Sequence, residues 1–160
     1  MDFDYLFELL CSGVVKGSIY ALIALGYTMV YGIIQLINFA HGEIYMTGAF
    51  VALIVSGVLT LAGHSGLSVL MLAAVVAVVY AAAYGFTLEK IAYRPLRGAP
   101  RLSPLISAIG ASIFLMNYVQ LAQTPDFLPF PELIPEFGFM DSMSRYLSSV
   151  DLVILVFTTL

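Results

Sequence analysis

Between Gly17 and Ala40 the chain carries no charged residue, and between Ile44 and Leu88 it again carries none. The first run is about 24 residues, roughly 36 Å of helix at 1.5 Å per residue, which crosses a bilayer with some tilt. The second run is about twice what one span needs. Its break falls at Gly63-His64-Ser65-Gly66, where two glycines and two polar side chains predict a tight turn between helices. Residues of this kind have nothing to offer a watery surface: 61% of the chain is hydrophobic and 10% charged, far from a soluble domain, and it needs lipid as its solvent.

The fold class expected is therefore all-α, a polytopic transmembrane helix bundle of about four complete spans plus the start of a fifth. The spans fall at about 12–37, 44–62, 67–88 and 102–122, with an incomplete one at 150–160, all in one membrane domain. Residues 89–101 and 123–149 read as loops, the second because Pro125, Pro129, Pro131 and Pro135 cannot continue a helix. The chain stops at Leu160, about half a bilayer into an apolar run, and reads as a fragment or truncated product. Its start lacks a basic n-region and a small-residue cleavage site, so the first apolar segment reads as a retained anchor.

Small residues recur every fourth position in each span: Gly13, Gly17 and Ala21; Gly48, Ala52 and Ser56; Ala73, Ala77, Ala81 and Gly85; Ser103, Ser107 and Ala111. Helices in lipid gain no hydrophobic drive from meeting each other. Small residues on one face let their backbones approach closely, and these stripes are expected to be packing faces.

Orientation follows from Lys90, Arg94, Arg97 and Arg101, four of the six basic residues, which the positive-inside rule holds in the cytoplasm. Counting back, the turn at 63–66 and the loop at 123–149 are outside, Gln35–Glu43 is inside, and the N-terminus is outside. A re-entrant or broken helix at Gln35–Glu43 would move the N-terminus inside. The basic segment is read first as a topogenic anchor and second as a face toward cytoplasmic partners.

Asn38-Phe39-Ala40-His41-Gly42-Glu43 interrupts lipid-compatible sequence with polar and titratable groups, which at membrane depth are functional candidates. Asn38, His41, Glu43 and Tyr45 are accordingly candidates for lining a solute path. On a continuous helix Asn38, His41 and Tyr45 share a face and Glu43 points nearly opposite, so they converge only if Gly42 breaks the helix. The competing reading is an interfacial turn with Asn38 and Glu43 capping helix ends. In 123–149, Asp126, Glu132, Glu136 and Asp141 alternate with Phe127, Phe130, Phe137 and Phe139, as either a docking surface or a cover over the outer mouth. Tyr5, Tyr93 and Tyr146 sit near span ends and need only the aromatic-belt explanation.

Catalytic and cofactor chemistry finds no support. His41 and Glu43 spell H-x-E, but no P-C-x-x-C follows, and neither G-x-S-x-G, H-E-x-x-H nor a phosphate-cradling glycine loop occurs. Cys11 is the only cysteine, so an intrachain disulfide is impossible. No basic patch carries the aromatics of a nucleic-acid surface. No enzyme activity, metal or cofactor is expected.

Two stretches carry a resemblance: GSIYALIALGYTMVYGIIQLINFAHGEIYMTGAF, Gly17 to Phe50, and LEKIAYRPLRGAPRLSPLISAIGASIFLMNYV, Leu88 to Val119. With their INFAHGE and YRPLR cores they resemble branched-chain amino acid ABC transporter permeases of the LivH type. The resemblance implies a bacterial inner-membrane importer subunit. Its implied partners are a second related permease, two cytoplasmic ATPase subunits and a periplasmic amino-acid-binding protein. Such permeases are about twice as long, with the ATPase-coupling loop in the other half. This chain alone is therefore expected not to couple ATP hydrolysis to transport. The alternative left open is a stand-alone secondary transporter or channel unit with a His41/Glu43 relay.

Overall fold

The computed structural model describes residues 3–100, 102–123, 128–131, 133 and 148–159. These form five α-helices and no strand: α1 (Phe3–Ile34), α2 (His41–Leu61), α3 (Leu67–Leu88), α4 (Leu102–Ala122) and α5 (Ser149–Thr159). The first four are long and apolar enough to cross a membrane; α5 is a shorter apolar helix. Helices are what this composition permits in lipid, because a helix satisfies its backbone hydrogen bonds within itself.

The chain divides into two compact units, one of residues 1–29 with 134–160, the other of residues 30–133. In the first, α1 begins about nine residues before the expected span. Asp4 and Glu8 keep that stretch out of a count of uncharged residues, yet neither opposes a helix, and Asp4 in the first turn suits the positive end of the helix dipole. Among the described residues, a Cβ on Gly13 or Gly17 would meet no heavy atom within 4 Å.

In the second unit α2 and α3 form an antiparallel pair around the turn at 63–66, where Gly63 (φ 85°) and Gly66 (φ 89°) adopt the left-handed conformation that glycine tolerates. A Cβ on Gly48 would stand 3.5 Å from Ala81 Cβ and 3.8 Å from Ala77 O, so this stripe is a packing face as expected. Ser56 and Ala73 are buried on the same two helices. On α4 the buried face is Pro104, Ala108, Leu115 and Val119, one position on from the expected Ser103, Ser107 and Ala111. The bulkier side chains fill the seam, and the serines flank it.

The segment expected as the loop 89–101 is helical to Leu96. A π turn, Glu89–Tyr93, and a 3₁₀ turn, Arg94–Leu96, extend α3. The helix continues because nothing in Glu89–Tyr93 breaks it. Pro95, Gly98 and Pro100 end it, and Pro95 has no N–H to give. Arg101 lies outside the described residues, as do Tyr146 and, from the proline-rich loop, Asp126, Phe127, Glu132, Glu136, Phe137, Phe139 and Asp141. Of that loop's described residues, Leu133 is buried and Phe130 exposed.

Candidate functional site

Hydroxyls inside the spans mostly bond the backbone of their own helix. Ser18 donates to Val15 O (2.7 Å), Thr47 to Ile44 O (2.8 Å), Ser56 to Leu53 O (2.9 Å), Thr60 to Ser56 O (2.8 Å) and Thr87 to Ala83 O (2.7 Å). A hydroxyl satisfied this way costs little in lipid and holds nothing else. Ser107, Ser112 and Tyr93 behave differently, each donating to another segment of the second unit.

The polar segment is a true helix break, but it lies between Ile34 and His41 and not at Gly42, which is inside α2. Gln35 takes a left-handed φ of 55°, costly for a residue with a Cβ, and ends α1. Asn38 then turns the chain: its Oδ1 accepts from Ala40 N at 3.1 Å, and its carbonyl accepts from His41 N at 3.2 Å. Ala40 is the residue that starts α2, and no side chain caps it. The two expected caps are therefore corrected: Asn38 forms an Asx turn two residues upstream, and Glu43 reaches out of its helix.

Tyr93, at the end of the π turn, donates to Asn38 Oδ1 at 2.6 Å. It is 4% exposed, so the aromatic-belt explanation is wrong for it, while Tyr5 at 58% exposure suits that explanation. Burial of a phenol demands a partner for its O–H, and the Asx-turn oxygen supplies one. From α4, Ser107 donates to Ala92 O at 3.1 Å. That carbonyl lies three residues before Pro95, which cannot donate to it.

Ser112 donates to Glu43 Oε1 at 2.7 Å. Ser112 stands ten residues from each end of α4 (Leu102–Ala122), so the start of α2 meets the middle of its neighbour. Among the described residues of α2, α3 and α4, Glu43 carries the only formal charge. A half-buried carboxylate needs such a donor, and it also gains from the N-terminal end of α2.

The four path candidates do not gather into one cluster. Asn38 and Glu43 are joined to the helices around them, His41 is half-buried at the first position of α2, and Tyr45 is 54% exposed. Ser107, Ser112 and Tyr93 belong to the site and were not expected in it. Of the basic residues, Arg97 pairs with Glu89 at 2.6 Å on the exposed side of the turn, and Lys90 lies 5.9 Å from the Phe86 ring centre. Among the described residues no group of three His, Cys, Asp or Glu is placed to hold a metal ion.

The family described as branched-chain amino acid transport system / permease component matches residues 9–160. Relatives carry the same description in their names. The high-affinity branched-chain amino acid transport system permease protein BraD of Pseudomonas aeruginosa is 47% identical over 99% of this chain and 52% of its own length. The permease protein LivH of Escherichia coli K12 is 44% identical over 99% of this chain and 53% of its own, and LivH of Salmonella typhimurium 44% over 93% and 49%. The chain thus spans about half the length of the curated relatives it matches. No solved structure matches it. With a family match over almost its whole length and near-half identity to two named permeases, the chain belongs to the branched-chain amino acid transport permease family.

Proposed function

We propose that this chain supplies half of the membrane permease of an ATP-driven importer for branched-chain amino acids in a bacterial inner membrane. The full permease pairs with a related second permease, with two cytoplasmic ATPase subunits and with a periplasmic amino-acid-binding protein. It moves solute and performs no covalent chemistry. Residues 89–101, with Lys90, Arg94, Arg97 and Arg101, face the cytoplasm, and 123–149 faces outward. Asn38, His41, Glu43 and Tyr45, joined now by Tyr93 and Ser112, border the solute path.

One observation carries the reading. In a chain of this family, Glu43 is the single formal charge of three packed apolar helices and is held by Ser112 at mid-helix. Charge retained at such a cost in lipid marks transport pathways. Helix rearrangement driven from the ATPase side then alternately opens the polar junction to each face of the membrane.

The test is uptake of labelled leucine by cells whose own copy of the complete gene is deleted and then restored. ATP-dependent uptake that vanishes and returns with the gene supports the reading. Uptake that survives ATP depletion but collapses with an uncoupler sinks it.

A further inference from the structure

The helical extension of α3 changes its hydrogen-bond register. Glu89 N–H bonds Gly85 O, four residues back, whereas Arg94 N–H bonds Glu89 O, five residues back. Glu89–Tyr93 is therefore wound with one residue more than an α turn holds, a rare arrangement that is frequent at functional sites. Composition does not ask for it. Glu-Lys-Ile-Ala-Tyr contains neither glycine nor proline, and Glu, Lys and Ala are good α-helix formers.

What holds the wide turn open comes from outside it. Pro95 follows, and in a helix that ran on in α register its ring would crowd the Ile91 carbonyl. Ser107 of α4 donates to Ala92 O at 3.1 Å, and the buried Tyr93 donates to Asn38 Oδ1 at 2.6 Å. The Arg97–Glu89 pair also bridges the turn, but on its exposed side, where water screens it. Closing the turn to α register would carry its far end about 100° and 1.5 Å relative to α3. Neither Ala92 O nor the Tyr93 hydroxyl keeps its partner through such a move. One proline and two neutral hydrogen bonds thus stand against the α preference of five residues, and a balance of that size can be tipped.

We infer that Glu89–Tyr93 is a two-state hinge that passes between π and α register during transport, with Tyr93 and Ser107 as positioning residues that latch the π state. This rests on the permease reading above and deepens it. The turn joins the basic segment on the ATPase side to the Asn38 break beside the solute path. Closing the turn releases Asn38 and frees the start of α2 to move, and reopening it restores the bond.

The experiment bridges the turn with zinc in the complete transporter in proteoliposomes, with leucine uptake as the readout. Two histidines share a zinc ion when they lie on one helix face, four residues apart in α register and five in π register. Glu89→His with Arg94→His therefore clamps the open turn, and Lys90→His with Arg94→His the closed one. Each pair is expected to bind zinc and to lose uptake about tenfold, with recovery when EDTA removes the metal. Tyr93→Phe or Ser107→Ala, added to the second pair, is expected to raise its zinc affinity about fivefold, because one hydrogen bond no longer opposes closure. A contact that only holds the fold together would not move that affinity. Failure of either pair to bind zinc, unchanged uptake with zinc bound to either, or unaltered affinity in both added variants overturns the hinge. Should the histidine pairs not assemble, deletion of Ile91, 71% exposed within the turn, decides. Removing the extra residue leaves both flanks in place and abolishes the choice of register, so thermal stability should hold while uptake falls about tenfold. Normal uptake by the deletion, or a loss of stability, overturns the hinge. Failure of the unmodified transporter to move leucine at all instead overturns the permease reading.

Discussion

Tyr93 and Asn38, 55 residues apart in sequence, are joined by a 2.6 Å hydrogen bond that ties the end of α3 to the helix break before α2. The Asn38 oxygen serves two donors, Ala40 N and Tyr93 OH, so the turn and the tertiary contact share one atom. Tyr93→Phe should cost about 1 kcal/mol, since the Asx turn keeps its local donor and only one bond is lost. Asn38→Ala should cost more, because it unmakes the turn as well and strands a buried phenol. A double-mutant cycle read by thermal unfolding in detergent should give a coupling of about 0.5–1.5 kcal/mol. Strict additivity would mean the bond contributes nothing.

The Ser112–Glu43 pair predicts an asymmetry. Ser112→Ala leaves a half-buried carboxylate without this donor and should cost roughly 1–3 kcal/mol. Glu43→Gln keeps an acceptor for the hydroxyl and removes the charge that lipid penalises, so it should be neutral or stabilising by the same thermal measurement. In a leucine uptake assay the order should reverse, with Glu43→Gln the more damaging. Equal effects of both variants in both assays would mean that the pair only holds helices together.

Much of the architecture was legible because a bilayer imposes long uncharged stretches and punishes anything else. The turn at 63–66 followed from its glycines, and α3 and α4 from apolar length. The helix break was legible as a polar interruption, but its place was not. It is set by Gln35 in a left-handed conformation, which that residue type does not announce. The part that Tyr93 and Ser112 play in the site was not legible for a related reason. A tyrosine at a span end and a serine in a span each have an ordinary local explanation, and only contacts 55 and 69 residues away in sequence distinguish them. The one local hint was Tyr93 standing two residues before Pro95, at a disturbed helix end.

Gly48 offers a size test of the α2–α3 seam. A single Cβ there meets Ala81 Cβ at 3.5 Å and Ala77 O at 3.8 Å, ordinary van der Waals contact. Gly48→Ala should therefore be tolerated within about 0.5 kcal/mol, or stabilise slightly by restricting the unfolded chain. Gly48→Leu has nowhere to place its branch and should cost about 1–3 kcal/mol as the helices part. The same pair of changes at Gly17, where no described residue stands within 4 Å, should leave thermal stability alike for both. A leucine at 48 that unfolds no earlier than alanine would show that the seam is not closed there.

The exposed Arg97–Glu89 pair separates stability from topology. Although its atoms are 2.6 Å apart, the arginine side chain is 61% exposed, and water and salt screen the attraction. Arg97→Ala should change unfolding by less than about 1 kcal/mol. Its positive charge matters instead to which side of the membrane the α3 extension occupies. With Cys11→Ser removing the chain's only thiol, a cysteine at position 97 should react with an impermeant maleimide in inverted vesicles and not in intact cells. A cysteine replacing His64, in the turn between α2 and α3, should show the opposite pattern. Neutralising Lys90, Arg94 and Arg97 together should scramble both patterns with little change in thermal stability, because these charges act on orientation during insertion and the packed helices hold the fold afterwards. Outward labelling at position 97 in the otherwise unaltered chain would invert the topology, and with it every assignment of the polar junction to a face of the membrane.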